Sequence, residues 1–173
     1  AFHQGTATLA ALRLEDFAPS VAYRMAKLRE ALAQFGDQRV LEDDESRAFW
    51  QAVREAAPLA AAADEAIWRV SVRPSAGPDI AALAASLGGR ALLDWGGGLV
   101  WVAAPPLPAN HAAISAAAGA TGGTVTLFGA PESLRLSVPV LPAEPAALAA
   151  ISARVKAALD PEGLFNPGRM RAA

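Results

Sequence analysis

The sequence of 173 residues contains no cysteine, and this absence excludes several kinds of site. Without thiols the chain can form no disulfide framework, thiolate zinc site, iron–sulfur cluster or cysteine nucleophile. Its two histidines, His3 and His111, lie too far apart in the sequence to form a local metal-binding motif. We therefore expect no metal site, and we expect His111 to lie at the surface of a helix.

The net charge is small, and the sequence contains no long apolar run. The formal net charge is only −2, whereas nucleic-acid-binding proteins usually carry strongly basic patches. No run approaches the roughly 20 apolar residues of a membrane-spanning helix, and the sequence shows no secretory signal. We expect a soluble domain with no transmembrane segment and no nucleic-acid partner.

The sequence lacks the common catalytic and nucleotide-binding motifs. It contains no GxGxxG or GxxxxGK[ST] loop, no HExxH and no GxSxG. The adjacent acids Asp43 and Asp44 are typical of a helix start rather than of an acid–base pair. The residues therefore predict no self-sufficient catalytic centre.

The spacing of the apolar residues predicts a mixed fold. Alternation predicts strands over 6–15, 66–72, 91–95, 99–103 and 124–128, with a glycine turn over 96–98 joining two of them. Helical spacing predicts helices from a cap at Asp16 to Gly36, and over 43–57, 79–87, 110–118 and 145–159. This order predicts an α+β fold of ferredoxin-like type, an antiparallel sheet with helices packed on one face.

The other face of such a sheet is left open to water or to a partner. Strand phase predicts that this face carries Arg13, Glu15, Arg69, Ser71, Thr124 and Thr126, with Trp95 or Trp101 beside them. An arginine in the middle of an apolar strand favours an anionic partner. We therefore predict that Arg69 binds a small carboxylate; a solvated face with surface ion pairs is the alternative.

A run of ten residues near the C-terminus predicts a constrained turn. The run DPEGLFNPGR occupies 160–169. Pro161 cannot continue the preceding helix, and Gly163 can adopt the left-handed conformation that follows many helix ends. Pro167 restricts Asn166 to an extended backbone.

This tail resembles the closing motif, DPxGxxNPGR/K, of FAD-linked oxidases of the vanillyl-alcohol oxidase type. Four internal runs narrow the resemblance to the FAD-binding subunits of bacterial glycolate oxidase: LRLEDFAPSV (12–21), AFWQAVREA (48–56), IWRVSVRP (67–74) and LLDWGGGLVWV (92–102). Together the five runs extend over nearly the whole chain.

The resemblance implies a carboxy-terminal cap domain over 1–159 and a flavin-proximal tail over 160–173, with the amino-terminal FAD-binding domain outside this chain. It implies flavin-dependent oxidation of glycolate to glyoxylate, with a larger flavin subunit and an iron–sulfur subunit as partners. The location would be the cytoplasm, either free or held at the inner face of the membrane through the complex. We expect FAD to be bound mainly by the other domain, so that this chain alone is inactive.

Residue by residue, Asn166 and Arg169 match tail positions that approach the flavin in related enzymes, with Arg169 standing where a Lys is often found. Arg69 remains an inference from strand phase, as a ligand of the substrate carboxylate or of a flavin phosphate. One departure is that no cluster of histidines and acids is visible. A non-catalytic ferredoxin-like module that binds small anions or docks a subunit is therefore the alternative function.

Overall fold

A computed structural model describes residues 2–4, 7–142 and 144–165. Over these residues six strands form one antiparallel sheet. The strands are β1 (Phe2–Gln4), β2 (Ala7–Leu9), β3 (Ala66–Ser71), β4 (Arg90–Asp94), β5 (Leu99–Ala104) and β6 (Thr124–Gly129). The α-helices are α1 (Ala18–Leu32), α2 (Asp43–Arg54), α3 (Gly77–Ser86), α4 (Pro108–Gly119), α5 (Glu132–Ser137) and α6 (Ala146–Leu159). None of these helices is long and apolar enough to span a bilayer.

The predicted α+β fold is confirmed, and its topology is ferredoxin-like. The central units follow the order β3–α3–β4–β5–α4–β6, and their strands lie side by side as β4-β5-β3-β6. This is the strand–helix–strand–strand–helix–strand arrangement of that fold. The β1–β2 hairpin extends the sheet beyond β4.

The core lies between the sheet and the pair α3 and α4. Trp68 and Val70 of β3 are fully buried there, together with Ile80 of α3 and Ile114 of α4. Because side chains alternate along a strand, the intervening residue Arg69 points to the opposite face. The predicted phase of β3 is therefore confirmed.

The opposite face is covered only in part, by the segment that follows α2. Leu59, Leu92 and Ala103 form a small second cluster there. Arg90 fixes this segment: its guanidinium donates to both carboxylate oxygens of Glu65, at 2.8 and 2.7 Å, and to the backbone oxygens of Leu59 and Ala60. The hydrogen bonds from Arg90 to the carboxylate lower the pKa of Glu65. Together with those to the backbone, they hold the connection from α2 to β3 against β4.

Two sequence predictions are wrong. The strand expected over 6–15 is restricted to β2, because β2 pairs with β1 and Phe2 of β1 already lies opposite Leu9, so that β1 has no described residue opposite Leu12 or Leu14. His111 is not on the surface: it is 8% exposed, and its Nδ1 accepts a hydrogen bond from Trp68 Nε1 at 3.2 Å. Burial lowers the pKa of His111, so the neutral imidazole belongs to the core.

The outer helices contrast with the core. No residue of α1 or α6 is buried. The apolar stripe that the sequence predicts on the last helix is present on α6, but it is exposed: Leu148, Ile151, Val155 and Leu159.

The turn predicted after that helix is confirmed as far as residue 165. The helix ends at Leu159, and Gly163 has a φ of 67°. Asp160 accepts hydrogen bonds from the backbone N–H groups of Leu164 and Phe165, at 2.8 and 3.1 Å, and pairs with Lys156. These interactions, chiefly the one with Lys156, lower the pKa of Asp160.

Candidate functional site

The open part of the sheet carries a row of side chains that includes Arg69. Arg69 in β3 lies directly opposite Trp101 of β5 on one side and Thr126 of β6 on the other. Trp101 in turn lies opposite Leu92 of β4. Residues paired in this way share a face of the sheet, so the fold places an arginine beside a tryptophan on the side away from α3 and α4.

Helix α2 converts this face into a groove, which we call the arginine groove. It is lined by Arg13, Arg47, Trp50, Gln51, Val53, Arg54, Arg69, Asp94, Trp95, Leu99 and Trp101. Four of these residues are arginines, three are tryptophans, and one is a carboxylate. Three different regions supply them: the segment before α1, the helix α2, and the strands β3 to β5.

Arg69 differs from the other arginines of the groove in its partners. Arg13, Arg47 and Arg54 pair with Glu15, Asp44 and Glu55 at exposed positions. Arg69 is half-buried and forms no ion pair with any residue that the structure describes. A partly desolvated guanidinium that forms no ion pair is a favourable site for an anion, since its planar N–H fork matches a carboxylate.

Trp95 lies beside Arg69 in a strained conformation. The guanidinium carbon of Arg69 lies 5.8 Å from the centre of the Trp95 ring, within the range of a cation–π contact. The Trp95 backbone has a φ of 52°, which is unusual for a bulky residue, and the ring is 65% exposed. Strain of this kind concentrates at functional positions.

The hairpin between β4 and β5 maintains this conformation. Asp94 accepts a hydrogen bond from the Trp95 backbone N–H at 2.8 Å. Gly97 has a φ of 101°, and a Cβ there would lie 2.6 Å from the carbonyl oxygen of Pro74. Glycine at this position therefore allows the hairpin to pack against the turn that follows β3.

The remaining aromatic rings of the groove are held by edge-to-face contacts. Trp101 meets Phe128 at 5.0 Å with an interplanar angle of 86°. Trp50 meets Phe49 at 5.3 Å and 88°, and the Arg13 guanidinium lies 6.0 Å from the centre of the Trp50 ring. These contacts fix flat apolar surfaces around the arginines.

The structure brings together only some of the residues predicted for the site. Arg13, Arg69, Trp95 and Trp101 all line the groove. Ser71, Thr124 and Thr126 belong to the same face of β3 and β6 but lie outside the groove lining, and Glu15 reaches it only through its pair with Arg13. Asn166 and Arg169 lie outside the described residues.

Sequence reasoning missed the contribution of α2. Arg47, Trp50, Val53 and Arg54 form the outer wall of the groove. The sequence does contain a signal, because Phe49, Trp50 and Val53 fall on one apolar face of a helix. It does not indicate that this face leans over the open side of the sheet.

No group of three or more histidine and acidic side chains in the described part of the chain is arranged to hold a metal ion.

In comparisons with known proteins, no family model, no curated protein and no solved structure matches the chain. The arrangement itself offers anion binding at Arg69, a hydrogen-bond acceptor at Asp94 and flat apolar walls.

Proposed function

We propose that this chain is the carboxy-terminal cap domain of an FAD-dependent 2-hydroxyacid oxidoreductase, of the glycolate oxidase type that its sequence resembles. The observation that supports this most directly is the half-buried, unpaired guanidinium of Arg69 in a groove with three tryptophans. A 2-hydroxy acid carries the carboxylate that such a guanidinium binds. It also carries a hydroxyl that can donate to the Asp94 carboxylate on the same groove wall.

In this proposal the groove forms one end of a flavin site. Bound FAD supplies the acceptor for the hydride of the carbon that bears the hydroxyl group. Within this chain, Arg69 would bind and orient the substrate carboxylate, Asp94 would accept the hydroxyl proton, and Trp95 and Trp101 would exclude water. Since the sequence contains no GxGxxG or GxxxxGK[ST] loop, the pyrophosphate would be bound by a different domain.

The exposed apolar stripe of α6 adds support for a larger protein. Its four members, Leu148, Ile151, Val155 and Leu159, are each about half exposed or more. Contiguous apolar surface of this kind usually marks a contact with another domain or subunit. We propose the flavin-binding half of the same subunit as the neighbour, and a larger flavin subunit and an iron–sulfur subunit as partners in a cytoplasmic complex.

The test is the complete protein that includes this chain, purified and assayed for bound FAD and for glycolate-dependent reduction of an electron-accepting dye. Arg69→Ala should lower kcat/KM about tenfold to a hundredfold, the effect of losing a hydrogen bond to a charged group. Arg135→Ala, which changes an exposed arginine of α5 outside the groove, is the control and should leave kcat/KM unchanged.

Absence of bound FAD, absence of glycolate-dependent dye reduction, or wild-type kcat/KM in Arg69→Ala would overturn the proposal. The 173-residue chain by itself should purify colourless. Stoichiometric yellow cofactor on this chain would contradict the assignment of the pyrophosphate site to another domain.

A second candidate, a non-catalytic module that docks a subunit, is favoured by the α6 stripe alone. Docking would bury Leu148 and Ile151 but would leave Arg69 with no ligand to bind. Titrating the chain with glycolate separates the two functions. Binding that is lost in Arg69→Ala supports the oxidoreductase, and the absence of glycolate binding supports the docking module.

A further inference from the structure

The arginine groove continues into a second, apolar cavity. Phe49, Pro58, Pro74 and Leu92 are among the residues that line this apolar pocket. Trp50, Val53, Asp94 and Trp95 line both cavities. The two cavities, each about 560 Å³, are therefore adjacent parts of one site, with a cationic end and an apolar end.

The two ends of the site favour different chemical groups of a ligand. At the cationic end Arg69 forms no ion pair with the residues that the structure describes, so an anionic group is favoured there. The apolar pocket adds Phe49, Pro58 and Pro74 to the shared wall, and its one acidic member is Asp94. Because no cationic side chain lines the apolar pocket, the anionic group of a ligand is directed toward Arg69 and its uncharged part toward the apolar pocket.

The size and the walls of the apolar pocket indicate which uncharged group of the ligand it would hold. Cavities of a few hundred Å³ hold ligands of many heavy atoms, so a two-carbon acid bound to Arg69 would leave the apolar pocket unused. The tryptophans of the shared wall present flat surfaces, one of them fixed edge-to-face against Phe49 at 5.3 Å. An aromatic ring gains stabilisation against such surfaces beyond the burial of its area.

We propose that the site takes an aryl-substituted 2-hydroxy acid in preference to glycolate. This rests on the proposed function for the class of substrate and adds the identity of its side chain. The carboxylate binds Arg69, the hydroxyl donates to Asp94, and the ring lies in the apolar pocket against Trp50 and Trp95.

The test is a calorimetric titration of the 173-residue chain with three probes. Mandelate has the carboxylate, the hydroxyl and the ring, glycolate lacks the ring, and benzyl alcohol lacks the carboxylate. Burial of a phenyl ring should make the Kd of mandelate about tenfold to a hundredfold lower than that of glycolate. Benzyl alcohol should bind more weakly than mandelate, because it has no group for Arg69.

Two variants separate the two ends of the site. Trp95→Ala removes an exposed ring of the shared wall, so it should lower the ratio of mandelate affinity to glycolate affinity about tenfold. Arg69→Gln should weaken both acids and leave benzyl alcohol unchanged. Arg135→Ala is the matched control and should alter none of the three.

Each outcome decides the proposal. Equal affinity for mandelate and glycolate, or a ratio of the two affinities that Trp95→Ala leaves unchanged, would overturn the preference for an aryl group while leaving the proposed 2-hydroxyacid function standing. Binding of neither acid would overturn the preference as well. Failure of the proposed function is recognised separately, by the absence of FAD and of dye reduction in the complete protein.

Discussion

The tryptophan side chains on the two faces of the sheet differ in burial and in hydrogen bonding. On the helix-covered face Trp68 is fully buried, and its N–H donates to a buried histidine. On the open face Trp101 and Trp50 are half-buried, and Trp95 is 65% exposed in a strained backbone conformation. The first arrangement maximises burial and hydrogen-bond satisfaction, which stabilises the fold. The second leaves apolar and cationic surface accessible, which is typical of a binding site.

The largest expected difference between the faces is in stability. Trp68→Ala should lower the free energy of unfolding by about 3–5 kcal/mol, because it leaves a cavity in the core and an unpaired His111. Trp95→Ala, on the open face, should change it by less than about 1 kcal/mol. Urea unfolding followed by circular dichroism measures both values. Equal losses would mean that the open face is packed as tightly as the core.

The next largest effect is expected for Arg90, which holds Glu65 and the segment after α2 against β4. Arg90→Ala should cost about 2 kcal/mol, because the Arg90–Glu65 pair is a largely desolvated, two-pronged interaction, with side-chain exposures of 20% and 19%. Arg39→Ala breaks the exposed pair of Arg39 and Glu45 and should cost less than about 1 kcal/mol. If Arg90→Ala lowers the free energy of unfolding no more than Arg39→Ala does, the structural role assigned to Arg90 is wrong.

A smaller effect, confined to the core face, is the pH dependence caused by His111. Burial lowers its pKa in the folded state, so the unfolded chain takes up a proton first, near about pH 6.5. The contribution of His111 to stability is therefore complete above that pH and is lost as the pH falls below it. His111→Gln should reduce the slope of unfolding free energy between about pH 7.5 and pH 5.5. An unchanged slope would show that another group is responsible.

The smallest effect on stability is expected at the centre of the open face. Arg69→Ala removes a guanidinium that has no ion-pair partner within the described ranges, so the free energy of unfolding should change by less than about 0.5 kcal/mol. A loss of about 2 kcal/mol or more in urea unfolding would assign Arg69 to the architecture rather than to ligand binding.

Most of the fold could be predicted because it follows from local patterns. Alternation in β3 separates Trp68 and Val70 from Arg69, and this phase decides which residues reach the open face. The order of the elements then limits the topology to a small set. The three-residue strand β1 and the short helix α5 were not predicted, since very short strands and helices of one or two turns depend on tertiary contacts.

The site could be predicted less completely, because it depends on contacts distant in the sequence. The position of α2 over the sheet is fixed by Arg90 holding Glu65 and the segment before it, 25 residues or more away in the sequence. The burial of His111 likewise depends on Trp68, which is 43 residues away. Such pairs have no local signature, so the sequence identified Arg69 and Trp101 but not the helix that encloses them.

The four tryptophans make one measurement especially direct. Three of them, Trp50, Trp95 and Trp101, line the arginine groove, whereas Trp68 lies in the core. In a ¹⁵N-correlated NMR spectrum each indole N–H gives its own signal, and the chain can be titrated with glycolate and then with mandelate. If the open face binds a carboxylate through Arg69, the three groove signals will shift, Trp68 will stay in place, and Arg69→Ala will abolish the shifts. Four stationary signals with both acids, or shifts that persist in Arg69→Ala, would contradict the assignment.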